Sequence, residues 1–284
     1  MTLGEAYRMG KSFLSGAGNE SPAFDAACLF QKVFGLDRQA RVIHSDETAG
    51  EEQTEEYLRL ARERAGGRPL QYILGSWPFM GLTLEVGEGV LIPREETELL
   101  VRAAAQLTDG VDTPEIIDLC SGSGAVALGL ASLLPRASVY AAELYDEAFS
   151  YLCTNVQNTG FRNVKPIKAD ILKPESAEKF PLPDCIVSNP PYVAADELEA
   201  LQTEVRREPR TALFGGEDGL LFYRAIASIW LPKLKRGGAA AVEVGEGQAA
   251  RAAALFQSAG LTRIRILKDF NGIERVVTGI RKNG

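Results

Sequence analysis

Two stretches of this chain place chemically capable residues at telling positions. The first is Asn189-Pro190-Pro191-Tyr192, directly after the apolar run Asp184–Ser188. The Asn189 side chain carries a carbonyl acceptor beside its NH2 donor. Pro190 has no N–H, so its carbonyl stands as an acceptor without a competing donor. Two neighbouring acceptors can take both hydrogens of an –NH2 group. Tyr192 offers a flat apolar face to a planar amide or base. The plainer alternative is a proline-bounded loop with an ordinary cap asparagine. Its place after a buried strand favours chemistry, because ligands of open α/β sheets sit outside the carboxyl ends of the strands.

The second stretch is Ile117-Asp118-Leu119-Cys120-Ser121-Gly122-Ser123-Gly124, an apolar strand that breaks into a glycine-rich turn before a helix. Glycines let backbone approach a ligand closely, and a helix start presents free N–H groups. Glu143 follows about 20 residues on, where a carboxylate can take the hydroxyls of a ribose. Asp170 closes the next strand, and its carboxylate could meet an adenine amino group or simply cap a turn. Together these point to a nucleoside cofactor without saying which. Gly122–Ala127 also fits the looser glycine pattern of nicotinamide enzymes.

The elements that must position these residues follow from periodicity. Residues 1–76 read as a small helical domain, with Ser21-Pro22 opening one helix, Ala23–Phe34 continuing it to Gly35, and Glu51–Ala65 forming another. Residues 77–92 read as a connector, with a hairpin expected over Phe79–Val90. A helix is expected from Glu95 to Leu107, with Arg94 and Glu98 four apart and able to pair. From 93 to 284 strand and helix alternate. Strands are expected at Glu115–Leu119, Ser138–Ala142, Val164–Lys168, Asp184–Ser188, Ala239–Val244, Thr262–Leu267 and Arg275–Ile280. Helices are expected at Ala125–Leu134, Asp146–Thr159, Asp218–Pro232 and Gln248–Ala259. Such alternation implies a mostly parallel sheet covered on both faces. No helix separates the last two strands, so they are expected to pair antiparallel and close one edge.

Composition narrows the function classes. The 284 residues are 45% hydrophobic and 24% charged, as in globular proteins, with a formal net charge of -7. That balance weighs against a dedicated duplex-binding protein. No apolar run spans a bilayer and the start shows no signal-peptide pattern, so a cytoplasmic location is expected. Cys28, Cys120, Cys153 and Cys185 lack metal-ligand spacing and are expected to be reduced thiols; no metal site is expected. With His44 the only histidine, a histidine-based triad is improbable.

These motifs resemble class I S-adenosylmethionine-dependent methyltransferases, and most closely the peptide chain release factor N5-glutamine methyltransferase family. The resemblance covers nearly the whole chain. It rests on Arg68–Gly75, Ile92-Pro93-Arg94 with Thr97-Glu98, the Asp118–Gly124 turn, Asn189–Tyr192, Glu208-Pro209 through Ala212-Leu213 and Gly215-Gly216 to Asp218-Gly219, and Asp269 with Gly272 and Arg275. It implies a seven-stranded Rossmann-like domain preceded by a helical domain that binds the substrate protein. It further implies methylation of the glutamine side-chain amide in the Gly-Gly-Gln loop of class I release factors, a modification bearing on translation termination. By position, Cys120, Ser121, Gly122, Ser123 and Gly124 would line the cofactor's amino-acid end, Glu143 would hold the ribose, and Asp170 and Ile171 would flank adenine. Asn189 would touch cofactor and substrate, and Pro190, Pro191 and Tyr192 the glutamine amide. Cys120 stands where the family often has glycine, and Glu143 where it often has aspartate. A monomer is expected. The competing expectation is an amino-group methyltransferase of nucleic acid, of the adenine N6 type, with Tyr192 stacking a flipped base and Arg206, Arg207 and Arg210 as a small basic cluster. A nicotinamide oxidoreductase lacks a supporting catalytic pair.

Overall fold

The computed structural model describes residues 1–283. The chain divides into two compact units, Met1–Ser76 with Gln202–Arg207, and Trp77–Leu201 with Glu208–Gly284.

The first unit is helical: α1 (Leu3–Gly16), α2 (Pro22–Phe34), α3 (Arg38–Ile43), α4 (Glu51–Ala65) and α5 (Leu70–Leu74). Thr2 and Glu5 cap α1 reciprocally, Glu5 N–H donating to Thr2 Oγ1 at 3.2 Å and Thr2 N–H to Glu5 Oε2 at 2.8 Å. Pro22 opens α2, and Gly35 closes it with φ +68°. Leu14, Leu29, Phe30 and Tyr57 are fully buried between α1, α2 and α4. Each such side chain contributes roughly 1.5–3 kcal/mol of apolar burial. Arg64 crosses this core to Asp25 at 2.7 Å and also pairs with Glu204. Through that pair, and Arg207 donating to the Gly66 carbonyl at 3.4 Å, the distant segment 202–207 clusters here. The expected boundaries had placed it with residues 93–284.

The second unit begins at Trp77, within the hairpin of β1 (Ser76–Phe79) and β2 (Leu82–Glu85). It lies upstream of the expected 79–90 because Met80 and Gly81 both take positive φ, 51° and 77°, and so form a tight turn between the strands. Then follow α6 (Thr97–Leu107), β3 (Glu115–Leu119), α7 (Ala125–Leu133), β4 (Ser138–Glu143), α8 (Asp146–Thr159), β5 (Val164–Lys168), β6 (Cys185–Ser188), α9 (Arg210–Leu213), α10 (Leu221–Ala225), β7 (Ala239–Glu243), α11 (Ala249–Ser258), β8 (Leu261–Lys268) and β9 (Glu274–Arg281). Among the described residues these strands form a seven-stranded sheet, ordered β5-β4-β3-β6-β7-β9-β8. The first five positions are parallel, and β9 runs antiparallel to both β7 and β8. Every residue of β6 and β7 is buried, as a parallel sheet covered on both faces requires. One face packs α6 and α7, with Leu100, Val101 and Leu128; the other packs α10 and α11, with Tyr223, Trp230 and Phe256.

The single helix expected over Asp218–Pro232 is instead three pieces. After α10 the backbone widens into a π turn over Ile226–Trp230 and then tightens into a 3₁₀ turn over Leu231–Lys233. Pro232 has no N–H to continue an α-helix. The widened turn accompanies full burial of Trp230, whose indole N–H reaches the Ile171 carbonyl at 2.9 Å.

The order of strands decides where a site can form. From β3 the chain moves outward through β4 and β5, then returns to the other side of β3 as β6. The switch point lies between the carboxyl ends of β3 and β6, where open α/β sheets bind ligands.

Candidate active site

A cleft of about 1150 Å³, counting its open mouth, lies at that switch point. Of the residues singled out from sequence, Cys120, Ser121, Gly122, Ser123, Glu143, Asp170, Ile171, Asn189 and Pro191 line it. Gly124, Pro190 and Tyr192 do not. Gly124 starts α7, with φ +87°, and a Cβ there would lie 2.7 Å from Leu152 Cδ1. Pro190 is buried. The Tyr192 backbone is held firmly, its carbonyl accepting from Gln248 Nε2 at 2.8 Å and its Cα so close to Gly215 that a Cβ on Gly215 would meet it at 2.7 Å. Burial pushes the Tyr192 phenol up to about 12.

The turn after β3 is shaped by left-handed residues. Cys120 has φ +60°, a conformation that costs a side chain of its kind roughly 1–2 kcal/mol and costs glycine almost nothing. The path is thus the one a glycine would take, held with a cysteine. Burial, reinforced by the nearby Glu143 and Asp118 carboxylates, pushes the Cys120 thiol far up, so it is a poor nucleophile. Gly122 has φ +54°, and a Cβ there would find only Val90 Cγ2, at 3.9 Å. Val90 itself lines the cleft, so that Cβ would take up ligand space.

Glu143, the last residue of β4, grips this turn from beside it. Its Oε2 accepts from Gly122 N–H at 2.9 Å, and its Oε1 from Leu144 and Tyr145 N–H at 2.7 and 2.9 Å. An ionised carboxylate has about four acceptor positions. Three are engaged by the backbone, leaving capacity for a hydroxyl rather than an idle side chain waiting for one. Asp170 caps a turn, its Oδ1 accepting from Leu172 N–H at 3.0 Å, and it also lines the cleft. Asn155 ties the turn to the hairpin, donating to the Ser123 and Glu85 carbonyls at 2.9 and 3.0 Å.

Sequence reasoning missed several residues here. Asp118 on β3 is wholly buried, and neither carboxylate oxygen has a hydrogen-bond partner. Burial pushes it up to about 7, although the Ser121 hydroxyl and Ala127 N–H lie near enough to draw it down somewhat. Thr97, at the start of α6, accepts from Asn189 Nδ2 at 3.2 Å. Glu243 ends β7 with 2% exposure, in reach of Thr97 and Asn189, and burial pushes it up to about 7. An acid closing the run Ala-Ala-Ala-Val-Glu was a readable signal, by the logic that marked Glu143. Arg94 does not pair with Glu98. It precedes α6 and pairs with Glu208, whose Oε2 also accepts from Ile92 N–H at 3.0 Å, while Glu98 pairs with Arg102 at 3.0 Å. Arg206 and Arg207 belong to the first unit and Arg210 to the second. Among the described residues no cluster of three or more potential metal ligands exists, and no helix is long and apolar enough to cross a membrane.

Comparison with known proteins assigns the chain. Residues 5–75 match the PrmC N-terminal domain, and residues 95–218 the methyltransferase small domain. A release factor glutamine methyltransferase of Geobacter sulfurreducens is 38% identical over 270 residues, covering 95% of this chain and 93% of the relative. This chain belongs to the release factor glutamine methyltransferase family. A further member, from Clostridium botulinum, is 33% identical over 279 residues and 98% of each chain. Beyond the family, the Thermus thermophilus 16S rRNA N2 G1207 methyltransferase, solved with AdoMet and guanosine, shares the fold. Its TM-score is 0.53 at 19% identity, over 73% of this chain and 50% of that one. The family's class I fold implies S-adenosylmethionine use, and the cleft suits it: a glycine turn with space where a Cβ would sit, an acid at the end of β4, and an acid after β5.

Proposed function

We propose that this protein transfers a methyl group from S-adenosylmethionine to the side-chain amide nitrogen of the glutamine in the Gly-Gly-Gln loop of class I peptide chain release factors. The observation that carries the reading is Asn189: it lines the cleft at the end of β6 with its NH2 already engaged by Thr97, leaving the carbonyl end as an acceptor.

Cys120–Ser123 and Gly124 would hold the cofactor's amino-acid end, Glu143 its ribose, and Asp170 with Ile171 its adenine. When bound, the cofactor supplies an electrophilic methyl on a sulfonium. A carboxamide nitrogen is a poor nucleophile because its lone pair is delocalised into the carbonyl. Asn189 Oδ1 and the Pro190 carbonyl would accept its two hydrogens, raising electron density on nitrogen and fixing its direction. Orientation of this kind supplies on the order of 7–11 kcal/mol in favourable cases. Tyr192, its backbone held by Gln248, would meet the glutamine amide. No general base is needed before transfer, since the cationic product sheds its proton readily.

The test is incubation of the enzyme and cofactor with an intact release factor and with its Gly-Gly-Glu variant. The expected result is one added methyl on the glutamine form and none on the glutamate form. Equal labelling of both, or of neither at saturating cofactor, would contradict the reading.

A further inference from the structure

Asn189 can serve as an acceptor only if its amide is turned the right way, and the residues around it decide that. β6 and β7 are parallel neighbours in register, Ser188 beside Val242, so Asn189 and Glu243 leave the sheet side by side. Thr97 comes in from α6, with 3% exposure. Its Oγ1 receives Asn189 Nδ2–H at 3.2 Å. A hydroxyl has one hydrogen to give, and the Glu243 carboxyl lies near both Thr97 and Asn189. One Glu243 oxygen has no partner at all. Oxygens therefore crowd this side of the amide. Turning Asn189 over would set its carbonyl against them and strand a buried NH2, a change that costs a full unsatisfied group.

We propose that Thr97 and Glu243 are positioning residues for methyl transfer: together they pin the Asn189 carboxamide in the one orientation that presents its oxygen to a substrate NH2. The inference rests on the amide-methylation reading above and adds two residues that act on substrate only through Asn189.

Steady-state kinetics on an intact release factor test it, with S-adenosylhomocysteine affinity measured alongside. Thr97→Val keeps the shape and removes the acceptor. It should lower kcat at least about tenfold, with KM and S-adenosylhomocysteine affinity within about twofold of wild type. Thr97→Ser, which restores the hydroxyl, should recover kcat to within about threefold. Glu243→Gln, isosteric but carrying a donor, should lower kcat about tenfold or more in the same pattern. Wild-type kcat in Thr97→Val or in Glu243→Gln would overturn the positioning role, as would a loss that Thr97→Ser fails to restore. Asn189→Ala, run in parallel, separates the two claims: if it is inactive while Thr97→Val is fully active, only the positioning role fails, whereas an active Asn189→Ala removes the amide-methylation reading itself.

Discussion

At the scale of single residues, the cleft is built from groups that already have work before any ligand arrives. Glu143 is the example. Its carboxylate holds the N–H groups of Gly122, Leu144 and Tyr145, so it shapes the turn as well as offering an acceptor. Glu143→Ala should therefore do two things at once. Calorimetry with S-adenosylhomocysteine should show at least about a tenfold weaker affinity, and denaturant unfolding a loss of about 1–3 kcal/mol from three part-buried N–H groups that lose their acceptor. Unchanged affinity would remove the ribose role. The glycine turn and the asparagine were legible because their chemistry is local: a strand, then residues of unusual freedom or polarity. Thr97 and Glu243 were harder to read because their relation to Asn189 exists only once β7 lies beside β6 and α6 packs over both, which no sequence spacing reports.

At the scale of elements, the strands were read nearly to the residue, since buried parallel strands are short apolar runs with turn residues on either side. Misreadings arose where a single residue overrode the pattern. Met80 with positive φ moved the hairpin upstream, and Pro232 with Trp230 broke one expected helix into three turns. Helical spacing would pair Arg94 with Glu98, but α6 begins at Thr97, so the spacing does not apply. The junction of β3 and α7 gives a sharp test. Gly124 combines φ +87° with Leu152 at 2.7 Å from any Cβ, so Gly124→Ala should destabilise by roughly 1–3 kcal/mol. Thermal unfolding would register that as a lower midpoint, and an unaltered midpoint would mean the turn relaxes freely. On β3 itself, Asp118 is held near 7 by burial against an ordinary value of 3.8. The folded state thus keeps its proton where the unfolded chain has lost it. This contribution to stability is complete below about pH 4 and is lost as pH rises through about 7, by up to roughly 4 kcal/mol. Asp118→Asn should flatten the fall of the urea midpoint between pH 5 and pH 8; the same slope in both proteins would show that Asp118 is not the group responsible.

At the scale of the molecule, the strand order creates the cleft. Residues from β3, β4, β6 and the start of α6, drawn from Thr97 to Asn189, meet at one switch point. Alternation of strand and helix predicted that geometry in outline. It did not predict that Gln202–Arg207 clusters with the helical unit through Arg64 and Gly66, because a buried arginine's partner cannot be read at long range. The formal net charge of -7 also belongs to this scale, and it favours a protein substrate over a polyanion. The most direct measurement is tandem mass spectrometry of the Gly-Gly-Gln peptide from an intact release factor, treated with wild-type enzyme or with Asn189→Ala. The wild type should place one methyl on the glutamine side-chain nitrogen, and the variant should leave the peptide unmodified at matched time and cofactor. A methyl on another atom, or equal modification by Asn189→Ala, would contradict the account.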